Sequence, residues 1–163
     1  MKFMLMTPSE REVVLKQLEA MPGFLVERFA SLTAREGSVP GPGDTFSPVE
    51  QCWHLADLER EGFGVRIRRL LAEDDPRLPD FDGARAAQER GYKGRSLEEG
   101  LVSFREARAA NVTLLRSLGP DSAGWSRQGT QEGVGRVALG DIPDRMAQHD
   151  AVHRAEILAN DGD

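Results

Sequence analysis

Three residues, His54, His149 and His153, supply every imidazole in the chain. His149 and His153 stand at i and i+4 in a segment that reads as one helix, so both rings leave the same face one turn apart. That spacing lets two side chains ligate one metal ion. Their face also carries Ile142, Met146, Glu156 and Ile157, which makes it inward-looking. An imidazole buried there must find a partner for each ring nitrogen, and a metal is one solution. His54 lies in the first turns of another helical segment, at the edge of an apolar arc with Leu55, Leu58, Gly62 and Val65. Facing helices of a bundle can bring it to the pair. Three neutral imidazoles with an open fourth position are the donor set of a catalytic-type site, not of a closed structural one. Histidines satisfied in the core or on the surface fit the spacing equally well, so spacing alone leaves both readings open.

Other side chains could serve such a centre. Arg108 and Asn111 occupy helix-seam positions where apolar residues are otherwise expected. Arg108 could clamp an anionic substrate group near the metal, but pairing with Glu59, Asp57 or another bundle carboxylate is the favoured role. Asp57 and Glu61 follow His54 at one and two turns, placed to orient an imidazole or act as a base, although solvated helix charges are commoner. Asp150 points away from the histidine face and is expected at solvent or a partner. Cys52 sits on a different side of the helix from His54 and reads as a small buried residue. Trp53 and Trp125 read as core or interface aromatics, with Trp125 alternatively walling the pocket entrance. Gly129-Thr130-Gln131-Glu132-Gly133 lacks the lysine and hydroxyl ending of a phosphate-gripping loop. No serine-centred glycine elbow of a Ser-His-Asp hydrolase is present.

The elements that must position these residues are helices. Thr7-Pro8-Ser9-Glu10 is a capping box with proline in the first turn. Behind it Val14, Leu18, Met21, Leu25, Phe29 and Leu32 form one apolar stripe, with a kink or break expected at Pro22-Gly23. Val39-Pro40-Gly41-Pro42-Gly43 is a loop. Ser47-Pro48-Val49-Glu50 starts the second helix, which runs to about Leu71. A long connection follows, with room for a short helix at 84–90. Ser96-Leu97-Glu98-Glu99 starts the third, along a seam of Leu97, Leu101, Phe104, Arg108, Asn111, Leu115 and Leu118. Residues 121–140 are glycine-rich and read as a structured loop. Asp141 is expected to cap the last helix, which runs to about Asn160 with Pro143 in its first turn. Strand-like alternation is nearly absent. The expected fold is all-α: a four-helix bundle with a long crossover between helices 2 and 3, in one domain over residues 1–163.

Composition narrows the function classes. The chain has 163 residues and a formal net charge of −6, with no basic block to hold a phosphate backbone, so nucleic acid is not an expected partner. The single cysteine excludes an intrachain disulfide and a thiolate zinc knuckle, and fits a reducing cytoplasm. No apolar run approaches a membrane span or a signal-peptide core.

The segment from Ser47 through Glu50 and His54-Leu55 to Asp57 and Glu59 resembles the second-helix motif of the DinB/YfiT-like superfamily. The stretch His149-Asp150-Ala151-Val152-His153-Arg154-Ala155-Glu156-Ile157 resembles that family's closing motif. Phe81-Asp82, the Phe104–Arg108 segment and Trp125-Ser126-Arg127 fall in the family's order and spacing. One departure is Glu156, where the family often has glutamine. The resemblance implies one divalent metal ion held by His54, His149 and His153, with water or substrate completing the shell. Zinc or nickel is expected first, with iron or manganese as alternatives. Glu156 is then placed to join or support the ligand shell, or to stand solvated or salt-bridged, and Arg108 and Asp57 are the other pocket candidates. The family implies chemistry on a small molecule. A thiol transferase or isomerase using a low-molecular-weight thiol is slightly preferred, because no dedicated general base is evident. A metal-dependent hydrolase and a non-catalytic metal-binding stress or interaction protein are the alternatives. A homodimer is an expectation of the same resemblance.

Overall fold

The computed structural model describes residues 6–160. Helix α1 (Pro8–Phe29) begins at Thr7, whose hydroxyl accepts from Glu10 N–H while the Glu10 carboxylate accepts from Thr7 N–H. It passes through Pro22 as one helix and buries Leu15, Leu18, Met21, Leu25 and Phe29. Leu32 of the expected stripe lies beyond its end, before a short helix α2 (Ala34–Gly37).

The second long rod has three parts. Helix α3 (Pro48–Asp57) starts from a reciprocal Ser47–Glu50 cap, a π-helical turn spans Leu58–Phe63, and α4 (Gly64–Ala72) completes it. A π turn rotates the side chains after it relative to those before it. Helix α5 (Gly83–Arg90) lies within the crossover, capped by Asp82, and α6 (Leu97–Arg116) forms the third rod. The last is α7 (Ile142–Ala159). Asp141 precedes it without capping it, because its carboxylate turns back to accept from Ala138 N–H at 3.3 Å.

One apolar cluster joins Leu15, Leu18, Phe63, Ile67, Leu70, Leu115, Trp125, Ile142 and Met146 at one end of the bundle. A second, with Met21, Leu25, Phe29, Cys52, Leu55, Phe104 and Ile157, fills the other. Among the described residues no helix is long and apolar enough to cross a membrane.

The glycine-rich stretch is more ordered than a loop. β2 (Gln128–Gln131) and β3 (Gly135–Ala138) form an antiparallel hairpin, and β1 (Arg77–Leu78) from the crossover pairs parallel to β2. These strands are too short to display an alternation that sequence can reveal. Gly133 turns the hairpin at φ 77°, a left-handed conformation that favours glycine. This sheet stitches the crossover to the approach to α7.

Candidate metal centre

The bundle brings together the three histidines that sequence spacing singled out. One ligand-capable nitrogen of each of His54, His149 and His153 lies within 4.8 Å of the others. Ring centroids are 4.4 Å apart for His149 and His153, 4.8 Å for His54 and His153, and 5.4 Å for His54 and His149. His54 comes from the middle of α3 and the other two from α7.

Hydrogen bonds fix the tautomer of His153. Gln51 Nε2 donates to a Glu156 carboxylate oxygen at 2.9 Å, which orients the amide because a carboxylate only accepts. The Gln51 carbonyl oxygen therefore faces His153 Nδ1 at 2.6 Å, and Nδ1 must carry the proton. In a neutral ring Nε2 then holds a lone pair, and it faces His149 Nε2 at 3.2 Å. Two nitrogens bound to one tetrahedral ion at 2.0–2.1 Å would stand about 3.3 Å apart, so this pair already has nearly the right separation. The third nitrogen set contains an orphan: His54 Nδ1 is buried without a hydrogen-bond partner.

The electrostatics favour neutral imidazoles. Burial holds His54 down at about 3, with the other two histidines adding to the effect. Burial likewise lowers His149 to about 4, assisted by His153, Arg108 and Arg66. His153 is lowered by burial while Glu156 pulls the other way. Neutral nitrogens with lone pairs are what a cation requires.

The surroundings are tightly drawn. Gly83, in the first turn of α5, packs against the His54 ring; a Cβ there would lie 2.4 Å from Cε1. Phe46 and Phe63 flank His54 and His149 at 5.2 and 6.2 Å between ring centroids. Burial also raises the thiol pKa of Cys52, which is fully enclosed in the apolar core as expected.

The other candidates separate. Glu156 reaches the cluster through Gln51 and lies 3.4 Å from His153 Nδ1. Asp57 does not face the imidazoles: it accepts from Tyr92 Oη at 2.5 Å and from Arg90 at 2.9 Å, and Glu61 pairs with the same arginine. Arg108 is 2% exposed and engaged at both terminal nitrogens. Nη1 donates to Leu18 O and Asp150, and Nη2 donates to Glu59 and Asp150. Pairing with Glu59 was expected. Asp150, expected at solvent or a partner, is instead 5% exposed and supplies the other carboxylate. The face opposite the histidines is covered by α1 and by the Arg108 side chain reaching across from α6, so pointing away from the ligands still means pointing inward. Asn111 donates to both the side chain and the backbone oxygen of Glu59, at 2.8 Å each. Trp125 stacks under Arg11 at 3.9 Å and donates to Gly119 O, in the apolar cluster and not beside the imidazoles.

Gln51 was missed by sequence reasoning. Its signal was present in its place three residues before His54, one turn back on a ligand-bearing helix.

Among solved structures, YfiT from Bacillus subtilis, described as a probable metal-dependent hydrolase with an unusual four-helix bundle topology, superposes with a TM-score of 0.86. The match covers 97% of this chain and 89% of that one at 18% sequence identity, a likeness of fold. No curated protein sequence matches significantly. The family model described as the DinB superfamily matches residues 17–157. The chain therefore belongs to the DinB superfamily.

Proposed function

We propose that the chain binds one divalent metal ion through His54, His149 and His153 and acts on a small molecule, as an S-transferase or isomerase using a low-molecular-weight thiol. The single observation that carries the metal reading is the Glu156–Gln51–His153 relay, which sets one imidazole lone pair 3.2 Å from the next. Zinc or nickel suits a neutral three-nitrogen donor set, with iron or manganese as alternatives. Such an ion lowers the pKa of a water or thiol that reaches it. What the chain's own residues offer favours the thiol. The carboxylates flanking the ligand helices are already engaged: Asp57 and Glu61 by Arg90, Glu59 and Asp150 by Arg108. Glu156 is held by Gln51. A thiol needs only to lose its proton to become a nucleophile, whereas hydrolysis gains more from a positioned base.

Metal analysis after repletion with zinc or nickel tests the site. About one ion per chain is expected for the wild type and far less for His149→Ala; equal, negligible metal in both would sink the reading. Hydrolysis is the second reading, favoured by the likeness in fold to YfiT. Metal-dependent turnover of simple esters that no added thiol accelerates would select it.

A further inference from the structure

A second unsatisfied group lies beside the histidines. Arg66, on α4, is 5% exposed, yet it makes no hydrogen bond among the described residues. Its buried Nε has no partner, as in Arg108, but its terminal nitrogens are also without a hydrogen bond, and among the described residues its one ion-pair partner is the largely exposed Asp80, 3.7 Å from Nη2. A buried guanidinium ordinarily has its terminal nitrogens paired, as those of Arg108 are, because leaving them empty costs most of what its charge can gain. Arg145, on α7 one turn before His149, is half-buried, has no hydrogen bond or ion pair among the described residues, and repels Arg66.

The position is as informative as the charge. The Phe63 ring lies 5.3 Å from the Arg66 guanidinium and 6.2 Å from the His149 ring, so the arginine and the candidate ligand are one side chain apart. Arg66 also acts electrostatically on His149. Asp80 marks the side on which solvent reaches it.

We infer that Arg66, with Arg145 beside it, receives a carboxylate of the small molecule whose other end reaches the histidine centre. The planar fork of Arg66 suits a carboxylate. The anionic clamp considered for Arg108 is thereby moved to an arginine whose donors are free. The second half of the inference rests on the metal reading; the carboxylate site does not.

Two measurements separate them. For metal-free protein, thermal unfolding is followed in sodium acetate and in sodium chloride of equal ionic strength. At acetate about tenfold above its Kd the wild type should gain roughly 3 °C over chloride, and Arg66→Gln should gain none. Arg145→Gln, at a half-buried position, should lose part of the gain and serves if Arg66→Gln does not fold. Equal gains in wild type and variants, or an Arg-dependent gain with inorganic phosphate but not acetate, overturns the carboxylate assignment. For cobalt-loaded protein, ω-mercaptocarboxylates of two to five carbons are compared with neutral alkanethiols of equal length through the thiolate-to-cobalt absorption band. One acid should bind about tenfold more tightly than its neutral counterpart, and the preference should vanish in Arg66→Gln. No preference, or one that survives the substitution, overturns the link between the two sites. Failure to take up cobalt sinks the metal reading alone, and the acetate comparison still decides the carboxylate site.

Discussion

Adjacent residues of α7 belong to two buried polar clusters of opposite character. Asp150 joins Arg108, Glu59 and Asn111 in a network where charge meets charge and each carboxylate oxygen of Glu59 and Asp150 accepts a hydrogen bond. His149 joins His54 and His153 in a cluster of neutral rings in which one fully buried nitrogen, His54 Nδ1, has no hydrogen-bond partner and two nitrogens face each other. In the first cluster every carboxylate oxygen and both terminal guanidinium nitrogens are paired by protein atoms alone, and only Arg108 Nε is left over. Arg108 touches α1 through Leu18 O, the π turn through Glu59 and α7 through Asp150, so one side chain of α6 ties the other three rods. The second is complete only if something else supplies charge. Burial of polar groups is common to both; the distinction between scaffold and site lies in whether their hydrogen-bonding capacity is used.

The comparison breaks most visibly at the scaffold. Arg108→Met should cost about 3–5 kcal/mol, because it strands two buried carboxylates. Burial already pushes the Asp150 carboxyl up, and the Arg108 guanidinium, with a smaller contribution from Arg154, pulls it back. Chemical denaturation of metal-free protein measures this. A loss under about 1 kcal/mol would mean that the network is dispensable and the contrast with the histidines false.

Acid should act on the other cluster. His54 and His149 have folded-state values of about 3 and 4, below the ordinary 6.5. Above pH 6.5 both states hold neutral rings and no pH dependence arises from them. Between pH 6 and pH 4 the unfolded chain takes up protons that the folded chain refuses. Metal-free protein should then lose roughly 1.4 kcal/mol per histidine for each pH unit. Denaturation midpoints measured at pH 7, 6, 5 and 4 test the sign and the window. In His54→Leu the slope should fall by about a third, since His149 and His153 are lowered as well.

The relay offers a finer cut. Gln51→Leu keeps the volume but leaves His153 Nδ1 without its acceptor, freeing the ring to change tautomer. Metal affinity should fall about 10–100-fold with the fold intact. Unchanged affinity by competition with a chelating dye would show that Gln51 does not orient the ligand.

Much of this was legible in the sequence because it rests on local rules. Thr7, Ser47 and Ser96 mark helix starts through hydroxyls that accept the N–H three residues on, and each does so in the structure. The spacing of His149 and His153 needed only the helical period. What was not legible depends on rotation between rods. The position of Asp150 relative to His149 was read correctly around α7, but its burial is decided by α1 packing on that side and by Arg108 reaching in from α6. The π turn at Leu58–Phe63 shifts every side chain that follows, and no residue type announces it. It also lies between His54 and Arg66, so a helical wheel drawn straight through misplaces Arg66 relative to the imidazoles. The hairpin escaped because four-residue strands that each include a glycine carry too short a pattern.

The smallest expected effect is the sharpest test of the distinction between the clusters. His54→Leu removes a buried nitrogen that has no partner and substitutes an apolar side chain of similar volume beside Phe46. An unsatisfied buried polar atom costs about 1–3 kcal/mol, and trading it for hydrocarbon recovers part of that. The loss of exact ring shape against Gly83 offsets some of the gain. Metal-free His54→Leu should therefore match the wild type in stability or exceed it by up to about 1 kcal/mol at pH 7, while losing its metal. A destabilisation of 3 kcal/mol or more, comparable with Arg108→Met, would mean that the histidines hold the bundle together without an ion. They would then belong with Arg108, Glu59 and Asp150 as scaffold.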